Sequence, residues 1–384
     1  MALDPVNTLL AVSAGAFFLG GTFYVLFGSP FERRANHTHY YPGLYNLGNT
    51  CFLNAILQAF ASVPPFINWL RHTNGGPLAR ALHQVLAPLT HPAVEEDNCN
   101  PNMVLVALQE HGWMIDLQQQ DSHELYHVLL STLQEEQEHH SVDSLSSISD
   151  IIKAPLINRV HSRNGKVTAP RRNHNSVFTG LLAGELMCVL CGYRYPTKYE
   201  TFDSLSLTLS GGMALGGTQQ VSVDTCLRQF VQPEPVKDVL CPLCHRNKGT
   251  SGHSTFLKSL RIGKAPQCLV IHIRRTAWLP GSLHKVNTLV SFKDTLDLKP
   301  YMYSHVMRHA LAPPPQEGRG SNRLLYSLRA VVVHMGGANS GHYVTYRKTI
   351  QSNWVYTSDT SVYPVHRDVV MSSAAYMLFY EIVK

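Results

Sequence analysis

The 384-residue chain predicts an α+β fold. Helical periodicity fills its early part and two-residue alternation its later part. The two do not interleave as they would in a doubly wound sheet. A hydrophobic content of 44% is enough for one large core or two ordinary ones.

The first element is Leu9–Gly28, LLAVSAGAFFLGGTFYVLFG, a run of 20 residues without a charge. That length predicts a transmembrane helix over 9–28. The preceding MALDPVN lacks the basic stretch of a secretory signal, so a retained anchor is expected rather than a cleaved one. Arg33 and Arg34 follow in a basic juxtamembrane linker, 29–40. By the positive-inside rule they put 41–384 in the cytosol and 1–8 on the far side.

Three helices are expected next. CFLNAILQAF (51–60) sets Phe52, Ile56 and Phe60 on one face with Leu53 and Leu57. Residues 101–111 carry Val104, Leu105 and Leu108 at helical spacing, and Asp121 to about Glu138 carries Leu125, Val128, Leu129 and Leu133. Weak periodicity over 139–175 predicts a flexible loop, and 312–322 another. Strands follow at SLSLTL (204–209), LVIHIRR (269–275), RAVVVHM (329–335), GHYVTYR (341–347) and YMLFYEIV (376–383).

The net charge of +6 is mild, and no Lys/Arg cluster interleaves with aromatics. Nucleic acid is therefore not an expected partner. Of eight cysteines, four form two C-x-x-C pairs, Cys188/Cys191 and Cys241/Cys244, which is metal spacing and implies a reducing compartment. The 49 residues between the pairs are long for a simple ribbon, but two turns on neighbouring strands can converge. Four thiolates suit a structural Zn²⁺ with no open catalytic position. Thiols buried without metal, or redox thiols, are the alternatives. Cys99, Cys226 and Cys268 have no spacing partner.

Cys51 opens the first cytosolic helix, capped by Asn49 or Thr50 on this reading. A helix N-terminus favours its thiolate, yet a buried core cysteine is an equally ordinary occupant. A nucleophile also needs a base and oxyanion donors. Asn46 can reach across the turn at Gly48, and the Cys51 backbone N–H can supply a second donor. His342 follows a Gly/Ser/Asn loop and opens a strand, at the rim of a sheet. His334 is its competitor. NWVYTSDTSV (353–362) is the place for a residue that orients the histidine.

These stretches together resemble the ubiquitin-specific proteases, the papain-like cysteine deubiquitinases. GLYNLGNTC (43–51) matches their Cys box, QQDSHEL (119–125) their Gln-Asp box and SGHYVTY (340–346) their His box. The two C-x-x-C pairs and LVIHIRR match as well, and the likeness covers about 41–384. It implies a helical thumb, a β-sheet palm and zinc-bearing fingers that cradle ubiquitin. It also implies Cys51 as nucleophile, His342 as base, Asn46 at the oxyanion, and Gln120 and Asp121 as ligands of ubiquitin's C-terminal tail. Asp121 also reads as the cap of its helix.

One departure stands out. The family's third catalytic residue is Asp or Asn in a W-x-x-x-D/N-D pattern. Here Trp354 is followed by Ser358 and Asp359, so a neutral hydroxyl takes that place. Ser358 is the favoured orienting residue and Asp359 the alternative. That serine and the single N-terminal span narrow the resemblance to members anchored in the mitochondrial outer membrane, opposing ubiquitin-driven mitophagy. Two rivals remain: a silent membrane-bound ubiquitin-binding protein, and a zinc-dependent scaffold.

Overall fold

Five helices open the described part of the chain: Cys51–Ala61, Pro64–His72, Pro77–Thr90, Asn102–Glu110 and Ser122–Asp143. Proline sits in the first turn of the second and third, where its missing N–H costs nothing. Every residue of Cys51–Ala61 is buried. A helix with no solvent-facing side has to be enclosed, and this one lies between the other helices and a sheet, with its Asn54 and Gln58 amides hydrogen-bonded inside. Phe60 is the centre of an aromatic cluster with Phe66, Tyr126, Phe178 and Phe379.

The computed structural model describes residues 41–383 apart from 74, 94–96, 115–119, 144–175, 210–220, 249–251, 280–281, 304–322 and 338–340. The expected membrane helix at 9–28, its flanks 1–8 and 29–40, and the 312–322 loop lie outside these residues. So does most of the 139–175 loop, but 139–143 are helical and extend Ser122–Asp143 past the expected end. Among the described residues, no single helix is long and apolar enough to cross a membrane.

The large sheet runs in the order Ser361–Pro364, Trp354–Ser358, Gly341–Lys348, Leu325–Gly336, Ala375–Ile382, Cys268–Arg274, Leu205–Thr208. Its pairs are antiparallel except the last, which is parallel. All five expected strands are present. A second sheet joins Lys198–Phe202, Gly180–Cys188, His253–Lys264 and Glu234–Leu240. Its strands are only partly buried on either face, so they carry little of the alternation that reveals a strand in sequence.

Polar bonds pin the buried helix to the large sheet. Thr345 Oγ1 donates to the Ala55 carbonyl at 2.9 Å. Arg347, fully buried, donates from Nε to Gln58 Oε1 at 2.7 Å and from Nη2 to the Leu89 carbonyl at 2.8 Å. A buried guanidinium that lost these acceptors would cost several kcal/mol, on the order of 3–5. The strand that begins at Gly341 therefore has one position along the helix that begins at Cys51.

Candidate active site

The loop before Cys51 is shaped by Asn46. Its Oδ1 accepts from the backbone N–H groups of Gly48 at 3.1 Å and Thr50 at 3.0 Å. Gly48 adopts φ 93° and Asn49 φ 56°, left-handed values that glycine and asparagine tolerate. Thr50 occupies the N-cap position, but no side chain caps the helix: Thr50 Oγ1 instead accepts from Leu47 N at 2.9 Å. The expected cap by Asn49 or Thr50 is thus replaced by a turn folded around Asn46.

The Cys51 thiol is buried and unpaired. Burial raises its pKa, the backbone N–H of Tyr343 opposes that rise, and the negative charge of Asp359 adds to it. The Tyr343 contact matters for geometry as well, because Tyr343 directly follows His342. Cys51 thus meets the first turn of its helix on one side and the start of the His342 strand on the other.

His342 Nε2 stands 2.8 Å from Ser358 Oγ. Strand parity explains the pairing. Thr345 lies opposite Thr357, so Val344 and His342 share a face with Ser358. Asp359 is the next residue and points the other way, at φ 50° in the turn between two strands. Its Oδ2 accepts from Asn46 Nδ2 at 2.9 Å and its Oδ1 from Asn54 Nδ2 at 2.8 Å. Its carbonyl accepts from Leu44 N at 2.9 Å. Gly43 lies so close that an added Cβ would meet the Asp359 carbonyl oxygen at 2.6 Å. Asn54 was not anticipated from the sequence. Its signal is an amide one turn beyond Cys51 on a wholly buried helix, where a polar group needs a partner.

Asp121 caps its helix through Oδ1, which accepts from His123 N at 2.7 Å and Glu124 N at 3.1 Å. Its Oδ2 accepts from the Tyr376 hydroxyl. Gln120 is partly exposed beside it. His334 stacks on Tyr343 at 4.5 Å between centroids, and its carbonyl and that of Gly336 accept from Lys285 Nζ at 3.0 and 2.7 Å. The loop leading to His342 is therefore tethered at its first end.

The four paired cysteines converge at the end of the second sheet. All four sulfurs lie within 4.8 Å of one another. Cys188 and Cys244 are 3.8 Å apart and Cys191 and Cys241 3.4 Å. A tetrahedron with metal–sulfur bonds of about 2.3 Å has edges of about 3.8 Å, so the donor set fits one ion. Four such donors would leave a bound ion no open position, an arrangement suited to structure rather than catalysis.

Comparison with solved structures gives the same fold. A chain of the SAGA DUB module Ubp8/Sgf11/Sus1/Sgf73 bound to ubiquitin aldehyde superposes with a TM-score of 0.64 at 23% identity, covering 98% of this chain and 76% of that one. The module bound to monoubiquitin gives 0.64 at 22%, covering 96% and 74%. The family model for ubiquitin carboxyl-terminal hydrolase matches residues 42–380. Ubiquitin carboxyl-terminal hydrolase 30 of Xenopus tropicalis is 31% identical over 444 aligned residues, covering 94% of this chain and 85% of that protein. The Homo sapiens protein of that name is 30% identical, covering 94% and 88%. The chain belongs to the ubiquitin carboxyl-terminal hydrolase family and is a cysteine-type deubiquitinase.

Proposed function

We propose that this chain removes ubiquitin from proteins of the mitochondrial outer membrane, with Cys51 as nucleophile, His342 as base and Ser358 orienting the imidazole. The observation that carries this reading is the meeting of the Cys51 thiol with the Gly341–Lys348 strand at Tyr343, next to His342, whose Nε2 is engaged by Ser358. With Nε2 so engaged, Nδ1 is the nitrogen left to exchange a proton with the thiol.

The thiolate attacks the carbonyl carbon of ubiquitin's terminal glycine, and the imidazolium protonates the departing lysine amine. Asn46 and the Cys51 backbone N–H stabilise the oxyanion. Asn46 has two amide hydrogens; Asp359 holds one and leaves the other for the substrate. Water, deprotonated by His342, then releases ubiquitin from the thioester. Asp121 and Gln120 bind ubiquitin's tail, and the Gly336–Gly337 loop narrows the groove to a Gly-Gly end. The carboxylate oxygen that Tyr376 engages keeps a second lone pair for an arginine of that tail.

The four-cysteine cluster holds Zn²⁺ and stiffens the tip of the ubiquitin-cradling sheet. Leu9–Gly28 is a retained membrane anchor, and the family resemblance of the whole chain supports the mitochondrial outer membrane, with 41–384 in the cytosol as the catalytic domain. Opposition to ubiquitin-driven mitophagy is the effect that the same resemblance supports. The test is turnover of ubiquitin carrying a C-terminal fluorogenic amide by the full chain in detergent. Cys51→Ala and His342→Ala should abolish turnover while ubiquitin binding persists. Turnover retained by Cys51→Ala overturns the assignment.

A further inference from the structure

Residues 123–127 read HELYH on the Ser122–Asp143 helix; they overlap the end of the Gln-Asp box but include none of the residues given a role in catalysis or in binding ubiquitin's tail. Two histidines four residues apart on one helical face, with glutamate after the first, form the H-E-x-x-H pattern of metal-binding helices. The pattern alone is common. The geometry around it is more specific. His123 Nε2 and His127 Nε2 stand 3.1 Å apart. Ser204 Oγ, from the segment that enters the Leu205–Thr208 strand, lies 2.9 Å from the first and 3.3 Å from the second. The three atoms make a nearly equilateral triangle.

We propose that His123, His127 and Ser204 form a binding site for one divalent transition-metal ion of the nickel, copper or zinc class, bridging helix and palm sheet. With metal–nitrogen bonds of about 2.1 Å, the observed Nε2 separation gives an N–M–N angle of about 95°, within the range these ions accept. An ion at that distance from all three atoms stands about 1 Å out of their plane, so water can complete its shell. The imidazoles are preset for the task. His272 stacks on the His123 ring at 3.8 Å between centroids and is itself held by Ser206 Oγ at 3.0 Å from its Nδ1. An ordinary imidazole is mostly neutral at pH 7. Lone pairs are thus available at neutral pH. His127 is exposed, which leaves the site open to an ion from solvent.

Glu124 is exposed and is given no role, because hydrolysis on such a helix requires a third strong protein ligand. The consequence of occupancy is mechanical. An ion bound only in the folded state ties the helix that Asp121 caps to the strand that Ser204 precedes, and it raises folded-state stability by mass action.

The test uses the untagged full chain in detergent carrying Cys51→Ala, with the four-cysteine cluster loaded with zinc and excess zinc removed. Nickel chloride is titrated by calorimetry, and the thermal midpoint is followed in parallel. One nickel per chain and a rising midpoint are expected. His127→Gln, an exposed change that leaves packing intact, should weaken nickel binding at least tenfold and abolish the shift. Ser204→Ala should weaken it by a smaller factor. No uptake at millimolar nickel, or uptake that His127→Gln leaves unchanged, overturns the proposal.

Discussion

His342 and Ser358 share one face of the large sheet, 2.8 Å from Nε2 to Oγ, while Asp359 carries the only charge of that turn to the opposite face. Two adjacent residues thus serve different partners. Ser358 addresses the imidazole, and Asp359 addresses Asn46 and Asn54 in the loop and helix around Cys51.

Ser358→Ala should therefore lower kcat with little change in KM. The loss of one orienting hydrogen bond corresponds to about 1–1.5 kcal/mol, or roughly tenfold in rate. Ser358→Asn, which can still accept from or donate to Nε2, should recover part of it. Steady-state kinetics on the fluorogenic ubiquitin amide decide this, and an unchanged kcat in Ser358→Ala contradicts the role.

Asp359→Asn should act in two separable ways. Removing the carboxylate withdraws a negative charge that raises the Cys51 pKa, so the acid limb of the kcat/KM profile should move to lower pH. The same change loosens Asn46, so the plateau should fall, by up to about 10²-fold if the oxyanion donor is lost altogether. A full pH–rate profile separates the two effects. A limb that moves to higher pH contradicts the electrostatic reading.

How much of this the sequence disclosed depends on chain separation. The Cys51 helix, the His342 strand and the C-x-x-C pairs are each local patterns, and the structure forms the helix and strand and gathers the four sulfurs. In the sequence, the preference for Ser358 over Asp359 rests on a motif alignment. The physical reason, strand parity, needs the Thr345–Thr357 register, which no single stretch encodes. The bond from Asn46 to Asp359 spans 313 positions and depends on a left-handed turn at Asp359, so it was invisible. The helices Pro64–His72 and Pro77–Thr90 went unanticipated although each starts with proline in the first turn, a signal that can be read. The half-exposed strands of the second sheet offered no such signal.

Acid should destabilise the fold through its buried histidines. Burial first, with His272, His127 and Arg274 as charged neighbours when protonated, lowers His123 to about 3 and His272 to about 4; only Asp121 works against this at His123. Both values lie below that of an unfolded imidazole, so the unfolded chain binds protons first as pH falls. Stability should be full above about pH 6.5 and decline below it, by about 1.4 kcal/mol per pH unit for each histidine. Thermal midpoints at pH 7 and pH 5 measure the decline, and His272→Gln should reduce it. A midpoint unchanged between these pH values contradicts the prediction.

Metal removal should unfold the tip of the second sheet. Without an ion the converging thiols, three buried and Cys191 exposed, have no disulfide to hold them together, and structural zinc contributes on the order of 10 kcal/mol of binding free energy. A strong chelator, or Cys244→Ser, should increase amide exchange in Gly180–Cys188 and His253–Lys264 and weaken ubiquitin binding, with little change in the Cys51 helix. Equal loss of protection in both places would contradict a local structural role.

The most direct test is covalent. Ubiquitin with an electrophile in place of its terminal glycine carboxylate is mixed with the full chain in detergent, and the adduct is mapped by peptide mass spectrometry. The account requires one ubiquitin per chain, attached through Cys51, formed far more slowly by His342→Ala and not at all by Cys51→Ala. An adduct on another cysteine, or none on a chain that still binds ubiquitin, contradicts it.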